Sequence, residues 1–247
     1  MKINNIKVSV AIPVYEMGGK GVEFLRYCLQ SVLLQTYHAY EIVISDHSKN
    51  DDIFNLCSPW PPNVKYVRNK ENYGVFASNM NNCFDYCTGD IIKIMHQDDF
   101  FYKPDSLSKI VDNFDLEKGW LISSYYHSKD GKDVFNLHIP RISQWPLFVN
   151  KIGAPTCLTI KNEDILYFDD NLKWYVDSDY YVRLLAKSGD PIIFKKPTVV
   201  QRLWEGQVTN TIINKDIITK EILYLYKKHN VKLKDLAEII AKFVYNI

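Results

Sequence analysis

The segment Ile91-Ile92-Lys93-Ile94-Met95-His96-Gln97-Asp98-Asp99-Phe100 constrains this chain more than any other. A turn signal, Thr88-Gly89-Asp90, opens it, and an apolar run follows. A short run of that kind reads as a buried strand of an α/β sheet. It stops at two adjacent carboxylates. In open α/β sheets ligands collect outside the carboxyl ends of the strands, so Asp98 and Asp99 fall where a site is expected. Neighbouring carboxylates repel, and burying them is costly without a cation or a donor beside them. Hard oxygen ligands suit Mg2+ or Mn2+, held by one or two carboxylates together with substrate phosphates. The residues alone leave a second reading open, a helix N-cap at Asp98 or Asp99.

The flanking sequence repeats the theme. Val8–Tyr15, Glu41–Asp46, Val64–Val67 and Trp120–Tyr126 are β-rich runs, and the second again ends in an acid. Between them, apolar residues recur at helical spacing: 22, 25, 29, 32 and 33 in one stretch, 76, 80, 83, 84 and 87 in the next. A third helix is expected over Asp105–Glu117, with Pro104 at its first position. Strands alternating with helices predict an α/β fold with a mostly parallel, Rossmann-like central sheet flanked by helices. No GxGxxG is present, and the loop Glu16–Gly21 lacks the GxxxxGK[ST] spacing, so it reads as a turn.

Beyond Lys129 the pattern loosens. Strands are expected at Val134–Ile139, Thr156–Ile160, Ile192–Phe194 and Thr198–Trp204. Trp174-Tyr175-Val176-Asp177-Ser178-Asp179 leads into a helix through Lys187, stopped by Gly189 and Pro191. Two helices follow Asn214, and Leu233, Leu236, Ile239, Ile240, Phe243, Val244 and Ile247 form an apolar face on the second. With Lys232, Lys234 and Lys242 nearby, that face predicts packing on the domain or in a homodimer, or peripheral docking at the inner face of a membrane.

Composition excludes some classes. Lys plus Arg number 30 against 29 Asp plus Glu, a balance that argues against a general nucleic-acid binder. Met1–Lys7 has no apolar signal-like core, and no run approaches the roughly 18 apolar residues of a membrane span. Five cysteines, an odd number, fit reduced thiols in a cytoplasmic protein. Cys83 and Cys87 share a helix face, as packing residues or as half of a metal site whose other half is missing.

Several stretches then fall in a known order. Val10-Ala11-Ile12-Pro13-Val14-Tyr15-Glu16 resembles the first-strand signature of the family-2 glycosyltransferases of GT-A fold. Ser45-Asp46-His47-Ser48 is similar to their Asp-Asp-Gly-Ser turn, with Ser45 in place of the first acid. Asn72-Tyr73-Gly74 and Ser78-Asn79 resemble the Asn-x-Gly and Arg-Asn elements. Thr88–Asp99 resembles the approach to the DXD motif, with His96 where its first acid usually stands. Val176-Asp177-Ser178-Asp179 is similar to the element that carries the base, and Gln201-Arg202-Leu203-Trp204 to the late Arg-x-His element, with Trp204 in place of the histidine. The similarity covers roughly residues 7–206.

The resemblance implies an inverting, metal-assisted transfer of sugar from a nucleoside-diphosphate sugar to a hydroxyl on a glycan, polysaccharide or lipid-linked acceptor. Its favoured donor is a UDP-sugar. It gives Asp177 the role of general base and Asp99, supported by Asp98, the role of holding Mn2+ or Mg2+. Asp46 would take the base of the nucleotide. Pro13, Tyr15, Glu16, Asn72, Gly74, Asn79, His96, Gln97, Asp98 and Arg202 complete the donor-binding set. The glycosyltransferase domain would span 1–210, with a donor half at 1–127 and an acceptor half at 128–210, followed by a helical extension at 211–247. The bland alternatives are a helix N-cap for Asp177, a surface ion pair for Arg202 and a plain strand end for His96. A sugar nucleotidyltransferase and an inactive binding protein of the same fold remain as other readings.

Overall fold

A computed structural model describes residues 6–56, 58–207 and 214–232. Nine strands form one mixed sheet: β1 (Val8–Val14), β2 (Tyr40–Asp46), β3 (Val64–Arg68), β4 (Ile91–Ile94), β5 (Phe100–Phe101), β6 (Trp120–Ser128), β7 (Phe135–His138), β8 (Leu158–Lys161) and β9 (Ile192–Arg202). Their order is β3-β2-β1-β4-β8-β6-β9-β5, and β7 hangs off β6. The first four strands are mutually parallel, as are β6 and β9. β8 enters antiparallel to both β4 and β6 and so joins the two parallel blocks into one sheet.

Every residue of β1 is buried. A parallel strand covered by helices on both faces needs apolar residues at every position, which is what Val8–Val14 supplies. Helix α1 (Gly21–Leu33) lays Phe24, Leu25, Cys28, Leu29 and Val32 on the sheet. Helix α3 (Phe76–Asp85) does the same with Ala77, Met80, Cys83 and Phe84, after the short α2 (Asp52–Leu56). Cys83 and Cys87 are free thiols, and burial raises both pKa values, to about 12 for Cys87, so they pack rather than ligate.

Three expectations shift. Helix α4 runs only Ser106–Asn113, with Asp105 as its N-cap, so Pro104 precedes the helix. Gln35 reaches over from the end of α1 and accepts from Leu107 N at 2.8 Å while donating to Lys103 O at 3.0 Å, which fixes the later start. The two late strands are one, β9, whose register against β6 slips where Lys195-Lys196-Pro197 passes Ser124. A proline has no ladder donor and settles at such a bulge. Helix α5 (Val176–Ser188) takes Tyr175 as N-cap, so Asp177 stands inside its first turn and is not the cap. Of the tail, α6 (Lys215–Lys228) is described; the apolar face at 233–247 lies outside the described residues. Among the described residues no helix is long and apolar enough to cross a membrane.

Candidate functional site

The carboxyl ends of β1, β2 and β4 open onto one edge of the sheet, and side chains there fall into clamps and free groups. Gln97 is a clamp: it accepts from Tyr15 N at 2.9 Å and donates to Gly21 O at 2.7 Å, joining the end of β1 to the start of α1. Asn79 donates to Val14 O at 3.0 Å and accepts from the Ser45 hydroxyl at 2.6 Å. Asn82 in turn donates to Ser45 Oγ at 2.8 Å, so Ser45 must both give and receive, which an acid could not do. Pro13 is buried in β1 opposite Ser45.

Asp46 is sealed. It has no exposed surface. One oxygen accepts from Ser48 N at 2.7 Å, the other from the Tyr66 hydroxyl at 2.6 Å, with Arg68 Nε at 3.4 Å. A nucleobase meets this carboxylate only if Tyr66 and the Ser48 turn let go. The groups that remain open are Tyr15, Glu16 and the turn Asn72-Tyr73-Gly74. Asn72 and Gly74 are left-handed, with φ of 47° and 76°. That turn puts the Tyr73 ring against His47, stacked at 5.5 Å, with Lys49 over the same ring. This aromatic ledge was not legible as a functional feature in the sequence; only the Asn-x-Gly turn beside it was.

Past β4, Met95–Asp99 carries the acids. Asp99 is almost fully buried; one oxygen accepts from Arg202 N at 2.9 Å and the other has no hydrogen-bond partner. Burial, and then Asp98, push its pKa well above the ordinary value. Asp98 is raised as well, chiefly by burial, although the Trp204 indole donates to it at 2.9 Å. His96 Nε2 is buried and unpartnered, and burial followed by the Lys93 charge lowers its pKa to about 4. A neutral imidazole keeps a lone pair. One ligand atom each from His96, Asp98 and Asp99 lie within 4.8 Å of one another. Two oxygens and an imidazole nitrogen, with an orphaned carboxylate oxygen among them, fit a divalent cation such as Mn2+.

Behind these acids stands a buried ammonium. Lys93 has no exposed surface and donates to Ile94 O at 2.8 Å, Leu158 O at 3.4 Å and Thr156 O. Burial lowers its pKa to about 8, and the nearby Cys157 and Asp99 oppose the fall.

Arg202 packs over three aromatic rings beside the acid turn. Its Nε donates to Asp98 O at 3.2 Å, and its guanidinium lies over the rings of Phe24, Tyr27 and Phe100 at 4.9, 5.1 and 5.6 Å. Its backbone and side chain hold the Asp98-Asp99 turn, and at 4% exposure it is not a surface ion pair, while its buried Nη2 has no hydrogen-bond partner.

The two acids of α5 differ sharply. Asp179 is bound by Arg183 Nε at 2.8 Å, Lys228 Nζ at 2.7 Å and His229 Nε2 at 2.8 Å. Burial works to raise its pKa, but the bonds from His229 and Lys228 and the Arg183 charge outweigh it and hold the pKa low. Asp177 is half-buried, accepts no hydrogen bond among the described residues, and burial alone raises its pKa to about 7. The phenol of Tyr125, itself raised first by burial, feels the charges of both Asp99 and Asp177. Asp99 and Asp177 thus both lie within electrostatic reach of one buried phenol. Such a carboxylate, unpaired and titrating near neutrality, has the properties of a general base.

Comparison with known proteins bears on the family and the fold. Residues 9–178 match the sequence profile of Glycosyl transferase family 2. An uncharacterized glycosyltransferase of Rickettsia typhi is 26% identical over 84% of this chain and 67% of its own length. One from Rickettsia conorii is 28% identical over 75% of this chain, which spans only 31% of that relative. Among solved structures, Staphylococcus aureus TarS 1–349 in complex with UDP-GlcNAc superposes with a TM-score of 0.71 at 16% identity, covering 97% of this chain and 72% of TarS 1–349. The mannosyltransferase PcManGT from Pyrobaculum calidifontis, in complex with GDP-Man and Mn2+, gives 0.58 at 17% identity over 90% of this chain and 61% of its own.

Proposed function

This chain belongs to glycosyl transferase family 2, and we propose that it moves a sugar from a nucleoside-diphosphate donor to an acceptor hydroxyl with inversion at the anomeric carbon. One observation carries the proposal: Asp177 accepts no hydrogen bond among the described residues, has its pKa raised to about 7 by burial, and lies near enough to Tyr125 that its charge, like that of Asp99, raises the phenol's pKa. In this reading the acceptor hydroxyl gives its proton to an Asp177 oxygen as it attacks the anomeric carbon from the side opposite the diphosphate. A single displacement inverts the configuration. Proton transfer of this kind contributes about 10²- to 10⁴-fold.

His96, Asp98 and Asp99 would hold a divalent cation, which when bound neutralises the departing diphosphate as a Lewis acid. Arg202 and Trp204 keep the Asp98-Asp99 turn in place for it. Asn72, Gly74 and the Tyr73–His47 ledge offer a face for the nucleoside, and Tyr15 and Glu16 border it. The donor complexes of TarS and PcManGT, with UDP-GlcNAc and GDP-Man, support a nucleoside-diphosphate sugar as substrate class. A UDP-sugar is the first choice, with a saccharide or lipid-linked saccharide as acceptor.

The test is a thermal-shift panel of UDP-, GDP-, dTDP- and CMP-sugars with and without Mn2+. Ligand binding to the native state raises the midpoint as ligand concentration exceeds Kd. One nucleoside diphosphate sugar should raise it, and more in Mn2+. The product of that donor is then read by the anomeric coupling in its NMR spectrum. No shift with any donor ends the donor assignment, and retained configuration ends the single-displacement mechanism.

A further inference from the structure

We propose that Glu221 is a positioning residue for this reaction: α6 grips the segment that carries Asp177, and turnover depends on that grip. This rests on Asp177 being the base. Helix α5 has no side-chain cap of its own. Instead, the three backbone N–H groups that lead into it converge on one carboxylate from α6. Glu221 Oε1 accepts from Lys173 N at 2.8 Å, and Oε2 accepts from Trp174 N and Tyr175 N, both at 3.0 Å. Glu221 is 6% exposed, so these are buried, charge-assisted bonds. Its negative charge also sits at the positive end of the helix dipole.

The grip has a second point. At the C-terminal end of α6, two turns beyond Glu221, Lys228 and the C-cap His229 bind Asp179. Asp177 lies between the two, two residues after Tyr175 and two before Asp179. Having no partner of its own, it takes its place from these neighbours. The same helix reaches the donor side. Lys228 and the Tyr224 hydroxyl bind Asp169, and the adjacent Asp170 accepts from Asn72 in the donor turn at 3.1 Å. These α6 contacts come from residues beyond the matched profile, which ends at residue 178.

A purely structural cap would affect stability and nothing else. A positioning residue moves the chemistry. The variants are E221A, which removes all three bonds, and E221Q, which keeps the shape and one carbonyl acceptor. The assay is nucleotide release from the sugar nucleotide selected by thermal shift, UDP-GlcNAc first, at a temperature well below each midpoint. Misplacement by about 1 Å can cost ~10²-fold in rate. Accordingly kcat should fall at least ~10-fold in E221A and less in E221Q, with donor affinity by calorimetry changed less than about twofold. The acid limb of the kcat profile should move, and amide hydrogen exchange across 173–178 should speed up. If E221A does not fold, E221Q carries the same comparison. A lowered midpoint with wild-type kcat and an unmoved limb overturns the proposal. D177N separates it from the base assignment: an active D177N removes the base, whereas an inactive D177N beside a fully active E221A removes only the positioning role.

Discussion

Replacing Asp177 by Asn should make the protein more stable at pH 8 while it loses activity. The Asp177 carboxyl has its pKa raised from 3.8 to about 7 because burial disfavours its charged form. Between those values the unfolded chain has released a proton that the native chain still holds. Stability therefore falls as pH rises through that window and levels off above about 7. A rise of roughly three units corresponds to about 4 kcal/mol, and water at the open edge of this half-buried side chain reduces it to about half. Against this, an acid in the first turn of a helix gains about 0.3–1 kcal/mol from the dipole, which Asn gives up. Burial wins. D177N should gain at least ~1 kcal/mol at pH 8, or about 2–4 °C in Tm.

The gap should narrow toward pH 4, where Asp177 is protonated in the native state and approaches half protonation in the unfolded one. Turnover of D177N should fall at least ~10²-fold, the usual size of a general-base effect, with donor affinity retained. Wild-type kcat should drop about tenfold per unit below pH 7, since only the ionised carboxylate accepts the proton. Melting curves from pH 4 to 8, with kcat across the same range, test all of this. A D177N protein that is less stable than wild type at pH 8, or as active, refutes the reasoning.

EDTA should abolish transfer and Mn2+ or Mg2+ should restore it, because Asp99 keeps an unpartnered buried oxygen beside His96 and Asp98; full activity of metal-free protein counts against this. D99N should weaken Mn2+-dependent donor binding as well as transfer, unlike D177N, and calorimetry with and without Mn2+ separates the two patterns. G131A should lower Tm by at least ~2 °C. Gly131 is left-handed, with φ of 80°, and an added Cβ would lie 2.6 Å from Arg202 Nη2, so both the turn and the Arg202 support are disturbed; an unchanged Tm refutes it.

The backbone was legible and the side-chain partnerships were not. Apolar runs and helical spacing set out β1 to β4 with their helices, because a parallel strand buried on both faces leaves an unmistakable run of apolar residues. The acids at the strand ends were equally plain. What periodicity does not carry is which side chain meets which. Asp46, Asn79, Gln97 and Arg202 read as donor contacts in the chain, and the fold adds partners the chain does not announce, Tyr66, Val14, Gly21 and Asp99, brought in from other elements. Asp177 and Asp179 look equivalent until Lys228 and His229, some 50 residues later, neutralise only one of them. A local hint existed, since Arg183 stands four residues after Asp179 on the same helix face. Glu221 left a clearer trace. It shares a helix face with Ile218, Ile222 and Leu225, all packed against the core. A carboxylate in the middle of an apolar stripe must find donors, and the nearest unsatisfied set is the start of a neighbouring helix. From sequence alone that logic announces a buried partner for Glu221 but not its identity. The fold supplies the segment before Asp177, which is why the strength of that contact bears on the base rather than on the tail.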